Sequence, residues 1–306
     1  MRDLAYSYAF HIPLYTFYKI PYTNLMETST FILEKDFASQ GFTHVIGTDE
    51  VGRGPLCGPV VACAAMLKYP YCHPELACLP GGKQDSRSMS TGELNSWIPD
   101  QVRNDKRWDL IRDSKKLSEK QREEIFDFIG EHFYVGLGLC DHETIDRINI
   151  LEASFLAMKK AIQDLLRASK FQETKNKNQT IINNQNSNNN SCHPELVSGS
   201  TQIPDQVRND RGCIILVDGN KVIPNLSMEQ YAVIGGDKLV KSISAASIVA
   251  KVTRDRMMKE FAILYPQYGM EKHMGYGTKV HMQALLEHGP CLIHRKSFKP
   301  VKRMLH

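Results

Sequence analysis

Four acidic residues stand at the ends of apolar segments and are the first candidates for chemistry. Asp49 and Glu50 end the run HVIGTDE, Asp218 ends ILVD, and Asp237 ends VIGGD. Apolar, β-branched runs of this kind predict strands, and α/β sheets place their sites at strand ends. A single aspartate at such a position is more often a turn former or a helix cap. Four of them, with glycines nearby, indicate a common acidic site.

A common acidic site requires positive charge, because carboxylates that converge repel one another. A ligand set made only of oxygen favours Mg²⁺ first and Mn²⁺ next over zinc. Two such ions about 4 Å apart activate water and stabilise the leaving oxygen of a phosphodiester, which is nuclease or polymerase chemistry. Since consecutive strand residues face opposite sides, Asp49 and Glu50 share one site only if the strand ends or twists there. Gly52 and Gly54 supply the freedom for that departure.

The composition is that of a folded protein without membrane segments. The 306 residues are 42% hydrophobic, and no apolar run approaches the roughly 20 residues of a membrane-spanning helix. None of the eight cysteines forms a CxxC pair, so we expect reduced thiols and a cytoplasmic protein. The net charge is only +4, but the tail HRKSFKPVKRML is basic. The tail suits a phosphate backbone, with a solvated terminus as the alternative.

The rest of the pattern alternates between strands and helices. Strands are predicted in HVIGTDE, GPVVACAAML, FYVGLGLC, GCIILVDGN and YAVIGGD. Ser118 is a candidate cap for the helix that follows it, and HETIDRINILEASFLAMKKAIQDLL has helical spacing throughout. Helical spacing returns in SISAASIVAKVTRDRMMKEFAILY and in KVHMQALLEHG. This order predicts helices packed on one sheet, an α/β or α+β fold.

Two segments that contain the same short sequences interrupt this pattern. CHPEL begins at residues 72 and 192, and each copy is followed by IPDQVRND, at residues 98 and 203. Both copies lie between predicted elements, where long insertions are tolerated because loop-closure entropy grows only logarithmically with length. We interpret residues 72–108 and 175–211 as insertions that are dispensable for activity. A zinc site built from both copies is disfavoured, because adjacent Cys and His lack the spacing of structural zinc ligands.

The predicted domain organisation is an N-terminal extension followed by one catalytic domain. Residues 1–40 are expected to be poorly ordered, because the aromatic-rich start of the chain shows neither strand alternation nor helical spacing. Residues 41–306 are expected to form the catalytic domain, interrupted by the two insertions. The polar tract 173–191 is expected to be disordered, since it has too little apolar surface to offset the entropy of ordering.

Eight motifs occur in the order that is typical of one enzyme family. They are DEVGRGPLCGPVV, DSKKLS, LVDGN, GD, SAASIVAKVTRDRMM, YPQYG, GYGTKVH and HRKSFKPVKRML. Through these motifs the sequence from about Val45 to Leu305, apart from the insertions, resembles bacterial ribonuclease HII. The resemblance implies a ribonuclease H-like fold, in which a central mixed sheet is flanked by helices and followed by a helical C-terminal part.

The resemblance also implies an activity and a set of site residues. The metal-binding catalytic tetrad would be Asp49, Glu50, Asp218 and Asp237, with Mg²⁺ or Mn²⁺ as cofactor. Family members hydrolyse the RNA strand of RNA/DNA hybrids and cut on the 5′ side of a single ribonucleotide in duplex DNA, leaving 5′-phosphate and 3′-hydroxyl ends. RNA/DNA hybrid and ribonucleotide-containing duplex DNA are therefore the expected partners, and we expect a monomer.

Further positions resemble the substrate contacts of the family. The element that recognises the 2′-hydroxyl would be the turn Gly52, Arg53 and Gly54. Glycine suits that role because it lets the backbone approach a minor groove closely. Tyr276 resembles the tyrosine that packs against the sugar beside the junction. Ser114 and Lys115 are expected to contact a phosphate, with Lys115 as a point charge. Each position also has a purely structural interpretation. The turn 52–54 could be an ordinary tight turn, Tyr276 a core residue and Lys115 a solvated side chain.

Two other functions are open at this stage. One is a hybrid-binding protein that its insertions have made catalytically silent, which the complete tetrad disfavours. The other is a ribonuclease HIII-like enzyme, which carries an additional N-terminal nucleic-acid-binding domain. The residues ahead of the first predicted strand, at residue 44, are too few for such a domain.

Overall fold

A five-stranded mixed sheet lies at the centre of the protein, in the order β3-β2-β1-β4-β5. The computed structural model describes residues 29–68, 105–184 and 212–305, with the backbone alone from residue 170 to residue 184. The strands are β1 (His44–Val51), β2 (Val60–Leu67), β3 (Phe133–Cys140), β4 (Cys213–Asp218) and β5 (Glu229–Val233). β2 pairs antiparallel with both β1 and β3, whereas β1, β4 and β5 run parallel.

Helices cover both faces of this sheet. In chain order they are α1 (Ile32–Ser39), α2 (Arg107–Leu110), α3 (Glu119–His132), α4 (His142–Ile148), α5 (Ile150–Asn184), α6 (Gly236–Leu239), α7 (Lys241–Leu264), α8 (Met270–His273), α9 (Lys279–His288) and α10 (Lys299–Met304). A short 3₁₀ turn, Pro266–Tyr268, joins α7 to α8. The last three helices form the helical C-terminal part.

Helix α7 packs on one face of the sheet and α5 packs on the other. The approach of α7 is close at Gly47 of β1, where a Cβ atom would lie 2.3 Å from the backbone nitrogen of Ile243. Two hydrophobic cores result, one under each helix. Successive residues of β1 point alternately into them, Val45 toward α7 and Ile46 toward α5.

The N-terminal boundary of the domain differs from the sequence expectation. Within the segment 1–40, residues 1–28 lie outside the described residues, but the chain joins the domain from residue 29 onward. Helix α1 packs on the core, and its fully buried Glu34 accepts hydrogen bonds from the amide and hydroxyl of Ser242, each at 2.9 Å. Sequence patterning missed α1 because the helix is short, with only eight residues, and its apolar contacts are joined by a buried carboxylate.

The first insertion ends earlier than predicted. Trp108 lies in α2, is only 6% exposed and packs edge-on against Phe128. Its carbonyl accepts a hydrogen bond from the buried Nζ of Lys241 at 2.7 Å. Residues 105–108 therefore belong to the folded domain, and a deletion within 72–108 should spare them. Both repeat copies otherwise lie outside the described residues.

The segment 142–166, predicted as one helix, contains two. Asn149 has a φ of +70°, which separates α4 from α5. Its Oδ1 accepts hydrogen bonds from the amides of Leu151 and Glu152, at 3.0 and 3.2 Å, and so caps α5. Asparagine suits both tasks, because its short amide tolerates positive φ and satisfies free amides at a helix start.

Helix α5 also continues into the polar tract 173–191, which was expected to be disordered. Its backbone is helical to Asn184, and residues 185–191 lie outside the described residues. An existing helix extends without a new nucleation step, because each added residue contributes one hydrogen bond. The composition of the tract alone does not reveal this extension, because the helix begins ahead of the tract, at Ile150.

The predicted fold class is confirmed. Each predicted strand is present, and Ser118 caps α3 in a capping box completed by Gln121. The mixed sheet, the flanking helices and the helical C-terminal part make up the ribonuclease H-like fold that the resemblance implied. In the part of the chain that the structure describes, every helix is too short or too polar to span a membrane.

The anchor of α1 predicts a pH dependence of stability. Burial raises the pKa of Glu34 from 4.5 to about 7, so folding favours the protonated side chain. This contribution is complete below pH 4.5 and is lost as the pH rises through 7. We expect Glu34→Gln to flatten the decline of the unfolding temperature between about pH 5 and 8, measured by thermal denaturation.

Asp36→Asn is the matched control, because Asp36 is an exposed carboxylate on the same helix. It should keep the wild-type pH dependence. A Glu34→Gln variant whose unfolding temperature follows the wild-type curve would show that Glu34 does not change its protonation on folding.

Candidate active site

The four predicted carboxylates lie at one edge of the sheet. β1 and β4 are parallel neighbours, so their C-terminal ends lie side by side. Asp49 and Glu50 stand near the end of β1, and Asp218 is the last residue of β4. Asp237 lies in α6, which follows β5. The topology therefore brings together residues that are far apart in the sequence.

Asp49 and Glu50 keep the alternation of a strand. β1 stays paired with β2 through Val51, whereas its pairing with β4 ends at Thr48. The expected departure from regular pairing therefore occurs on the β4 side alone. Asp49 faces α7 and is only 6% exposed, and Ser247 of that helix opposes the rise of its pKa. Glu50 points to the opposite side of the sheet, toward α5.

Glu50 and Asp218 line a pocket of about 290 Å³ at this edge. Phe155 and Met158 of α5 form part of its wall, and Asn220 contributes a polar group. Next to apolar walls the effective dielectric constant is lower than in bulk water, so interactions between the carboxylates and a cation are strengthened.

Asp218 and Asp237 are linked through the backbone. The amide of Asp237 donates a hydrogen bond to Oδ1 of Asp218 at 3.3 Å. Gly236 permits this approach, because a Cβ atom at that position would lie 2.5 Å from Cδ1 of Ile243 and 3.3 Å from Oδ1 of Asp218. The start of α6 thus orients the Asp218 carboxylate.

Burial raises the pKa of three of these carboxyl groups. For Asp49 the pKa rises well above its ordinary value, through burial first and then through the charges of Glu50 and Asp218. Burial also raises the pKa of Glu50, with Arg53 opposing the rise. Burial and then the charge of Asp237 raise the pKa of Asp218. A nearby cation reverses such shifts because it favours the ionised forms.

Two basic side chains supply positive charge to this group. Nη1 of Arg53 lies 3.2 Å from Oε1 of Glu50, and Nζ of Lys115 lies 3.3 Å from Oδ2 of Asp237. Burial lowers the pKa of Lys115, but the charges of Asp237 and Asp49 outweigh it, so the pKa is raised. Lys115 therefore stands beside the carboxylates, at the position predicted for a phosphate contact.

Ser114, unlike the largely exposed Lys115, is a buried residue. It is only 2% exposed, and its hydroxyl lies 2.9 Å from the hydroxyl of Ser247. Ser247 in turn opposes the rise of the Asp49 pKa. The buried hydroxyl of Ser114 thus contacts a neighbour of Asp49, and its contact with a phosphate stays a prediction. No pattern in the sequence distinguishes Ser247 from the other small residues of α7.

The four carboxylates are spaced more widely than the ligands of a closed metal cage. In the described ranges, three side chains of metal-ligand type have their ligand atoms within 4.8 Å of one another. They are Cys57, His281 and His294, and none of the four carboxylates is among them. The opposite orientations of Asp49 and Glu50 and their mutual repulsion account for the wider spacing of the acidic group.

Hydrogen bonds already engage the histidines of the compact cluster. The amide of Cys291 donates to Nδ1 of His294 at 3.0 Å, so a neutral His294 donates from Nε2 to Nε2 of His281 at 3.1 Å. His281 then donates from Nδ1 to the carbonyl of Tyr276 at 3.0 Å. Burial lowers the pKa of both rings, that of His294 to about 4, so both are neutral at pH 7. The histidines form a relay that ends at Tyr276.

The turn predicted to contact substrate follows β1 directly. Gly52 has a φ of +101°, and a Cβ atom there would lie 2.4 Å from Nε of Arg254. Gly54 faces Tyr276, whose Cε1 would lie 3.3 Å from a Cβ atom on Gly54. Tyr276 is 45% exposed and is therefore a surface residue rather than a core tyrosine. Through Arg53, this surface adjoins Glu50.

The basic C-terminal segment is only partly a surface feature. Lys296 and Lys302 are exposed, but His294 and Arg295 are fully buried. Arg295 donates hydrogen bonds to main-chain carbonyls instead of facing solvent. The expectation of a basic tail on a phosphate backbone therefore fails for these two residues, because charge composition alone does not reveal burial.

Comparison with known proteins identifies the family of this chain. The sequence profile of the family described as Ribonuclease HII matches residues 110–301. A ribonuclease HII of Fusobacterium nucleatum is 37% identical over 258 residues, which cover 84% of this chain and 86% of the relative. A ribonuclease HII of Endomicrobium trichonymphae is 36% identical over 281 residues, 92% of this chain and 97% of the relative. The chain belongs to the ribonuclease HII family.

As a member of the ribonuclease HII family, the protein is a ribonuclease H, a metal-dependent endonuclease of a family that acts on RNA/DNA hybrids. Among solved structures, the chain is similar to the crystal structure of ribonuclease H2 from Pyrococcus horikoshii OT3. That similarity has a TM-score of 0.48 at 20% identity, and it covers 85% of this chain and 96% of the other.

The two glycines of the turn predict different effects of substitution. Gly52→Ala forces a Cβ atom into Arg254 at a positive φ. It should lower the free energy of unfolding by about 2 kcal/mol. Gly54→Ala meets only the edge of the Tyr276 ring, so we expect a change within about 0.5 kcal/mol. Denaturant unfolding measures both. Equal effects of the two substitutions would contradict the described packing of the turn.

Proposed function

We propose that the enzyme hydrolyses the RNA strand of RNA/DNA hybrids and cuts on the 5′ side of single ribonucleotides in duplex DNA. The products carry 5′-phosphate and 3′-hydroxyl ends. The observation that carries this proposal is the acidic group of Asp49, Glu50, Asp218 and Asp237, with Asp49 and Asp237 buried, which adjoins a surface formed by Gly54 and Tyr276. The acidic group provides for hydrolysis of a phosphodiester, and the surface of Gly54 and Tyr276 provides for recognition of a ribose.

The acidic residues fit a pair of divalent cations. All side-chain ligands are carboxylate oxygens, which suit Mg²⁺ or Mn²⁺. Burial raises the pKa of Asp49, Glu50 and Asp218, so the group is electrostatically incomplete without added positive charge. When bound, such ions supply an activated water and neutralise charge on the leaving oxygen. The four carboxylates would hold them.

The other polar residues of the site hold these carboxylates and meet the substrate. Ser247 and Ser114 orient Asp49 from the α7 side. Lys115 is largely exposed beside Asp237, so its charge is available to a phosphate of the cut strand. Arg53 likewise has half of its side chain exposed while it contacts Glu50.

Ribose recognition is assigned to the turn 52–54 and to Tyr276. Gly54 has no side chain and lies against the tyrosine ring, so the backbone of the turn is free to approach a minor groove closely. The exposed ring is available to pack against the sugar beside the RNA–DNA junction. The aromatic face and the bare backbone together distinguish a ribonucleotide from its deoxy neighbours.

A catalytically silent hybrid-binding protein is the alternative. The complete tetrad at the ends of β1 and β4 and in α6 favours an active enzyme. Membership of the ribonuclease HII family argues against the ribonuclease HIII-like alternative. We also propose that the enzyme acts as a monomer in the cytoplasm.

A cleavage assay tests the proposal. Duplex DNA with one ribonucleotide, and a matched RNA/DNA hybrid, should be cut with Mg²⁺ or Mn²⁺ and left intact with a chelator. Asp218→Asn should reduce turnover at least about a hundredfold while hybrid binding persists, because it removes a carboxylate ligand. Asp127→Asn, an exposed aspartate of α3, is the control and should behave as wild type. Turnover that survives in Asp218→Asn would refute the assigned roles, and binding without cleavage by the wild type would favour the silent protein.

A further inference from the structure

A fully buried arginine lies directly beneath the turn 52–54. Arg295 comes from the C-terminal segment and has no exposed surface. Its guanidinium donates hydrogen bonds to four main-chain carbonyls of one short stretch of chain: Gly52 at 2.7 Å, Arg53 at 3.2 Å, Pro55 at 2.8 Å and Gly58 at 3.0 Å. The planar donors thus determine where successive peptide groups of the turn point.

A second buried arginine contacts the same stretch from α7. Arg254 donates to the carbonyls of Pro59 at 3.0 Å and Cys57 at 3.3 Å. It also donates to the carbonyl of Met274 at 3.0 Å, close in sequence to Tyr276. Arg254 therefore connects the turn to the segment that carries the tyrosine.

Two buried guanidinium groups beside each other are electrostatically unfavourable. Burial lowers the pKa of Arg295 to about 9, and the charge of Arg254 adds to this effect. Within the described residues, neither guanidinium lies within salt-bridge distance of a carboxylate. The carbonyl dipoles are therefore their direct polar partners, aided by the Phe298 ring 5.0 Å from Cζ of Arg295 and by the charges of Asp146 and Asp255. Apolar packing stabilises a turn without such a desolvation penalty. It does not, however, fix the direction of individual peptide groups.

The tyrosine depends on the same C-terminal segment. His294, the neighbour of Arg295, begins the hydrogen-bond relay through His281 to the carbonyl of Tyr276. Both halves of the ribose-contacting surface are thus connected to two consecutive residues. Arg295 contacts the turn, and His294 reaches the tyrosine.

We propose that Arg295, together with Arg254, is a positioning residue for ribonucleotide recognition. By fixing the peptide groups of the turn 52–54 before substrate arrives, Arg295 makes the enzyme selective for an isolated ribonucleotide. This inference rests on the proposed function, because it assumes that the turn contacts the ribose. Neither arginine reaches the carboxylates in the contacts described above, so the hydrolytic step itself should depend on them less.

The test compares three arginine-to-lysine substitutions. Arg295→Lys and Arg254→Lys keep the charge but lose the planar fork of donors. Arg256→Lys is the matched control, because Arg256 lies on the same helix as Arg254 but is an exposed partner of Glu123. For each variant, kcat and KM are measured on duplex DNA with one ribonucleotide and on the same duplex with a run of several ribonucleotides.

We expect Arg295→Lys to lower the ratio of kcat/KM for the single ribonucleotide to that for the run by at least about tenfold, because small displacements of positioning groups reduce rates strongly. Arg254→Lys should lower the ratio in the same direction, and Arg256→Lys should leave it unchanged. Equal losses on both substrates would indicate a merely structural role and overturn the inference. A wild type that cuts neither substrate would instead reject the proposed function.

Hydrogen exchange covers the case in which both lysine variants fail to fold. In wild-type enzyme, the amides of Leu56 and Gly58, which donate to the carbonyls of Gly275 and Ile293 within the stretch that the arginines hold, should be protected in the free protein about as well as in complex with the ribonucleotide-containing duplex. Rapid exchange in the free enzyme, with protection appearing only on binding, would show that the arginines do not position the turn in advance.

Discussion

The mutual repulsion of carboxylates that have been taken out of water is the constraint on which this structure depends. Asp49 and Asp237 are almost completely buried, and burial raises the pKa of Asp49, Glu50 and Asp218. Such a group is tolerable only where cations, donors or protons compensate it. The protein supplies Lys115 and Arg53 at the margins and a serine behind Asp49. The negative charge that remains uncompensated attracts divalent ions.

Helix α7 connects this site to the rest of the fold. Its first turn is joined to α1 through Ser242 and Glu34, and its small residues let it lie close to β1 at Gly47. One turn further it carries Ser247 beside Asp49, and beyond that Arg254 beneath the turn 52–54. A single rigid helix thus sets the position of a carboxylate and of this turn relative to the sheet. Rigid elements of this kind keep functional groups in register.

Features that depend on neighbouring residues in the chain, such as strand ends and helix caps, were predictable from the sequence. Strand ends located the carboxylates, and Ser118 with its helix was visible as a cap followed by apolar spacing. The burial of Arg295 and Ser114 was not predictable, because it depends on contacts with residues far away in the chain. The break at Asn149 and the attachment of Trp108 were missed for related reasons: a polar side chain ended a helix, and a single aromatic attached a short segment to the core.

The most direct measurement is the unfolding temperature of wild type and Asp49→Asn near pH 8, without metal and during titration with Mn²⁺. If repulsion within the acidic group is real, Asp49→Asn unfolds at a higher temperature than wild type when metal is absent, because one buried charge is gone. Mn²⁺ should then raise the wild-type value progressively, as expected for a ligand of the folded state, and raise that of the variant much less. A variant less stable than wild type without metal, together with no response of wild type to Mn²⁺, would contradict the account.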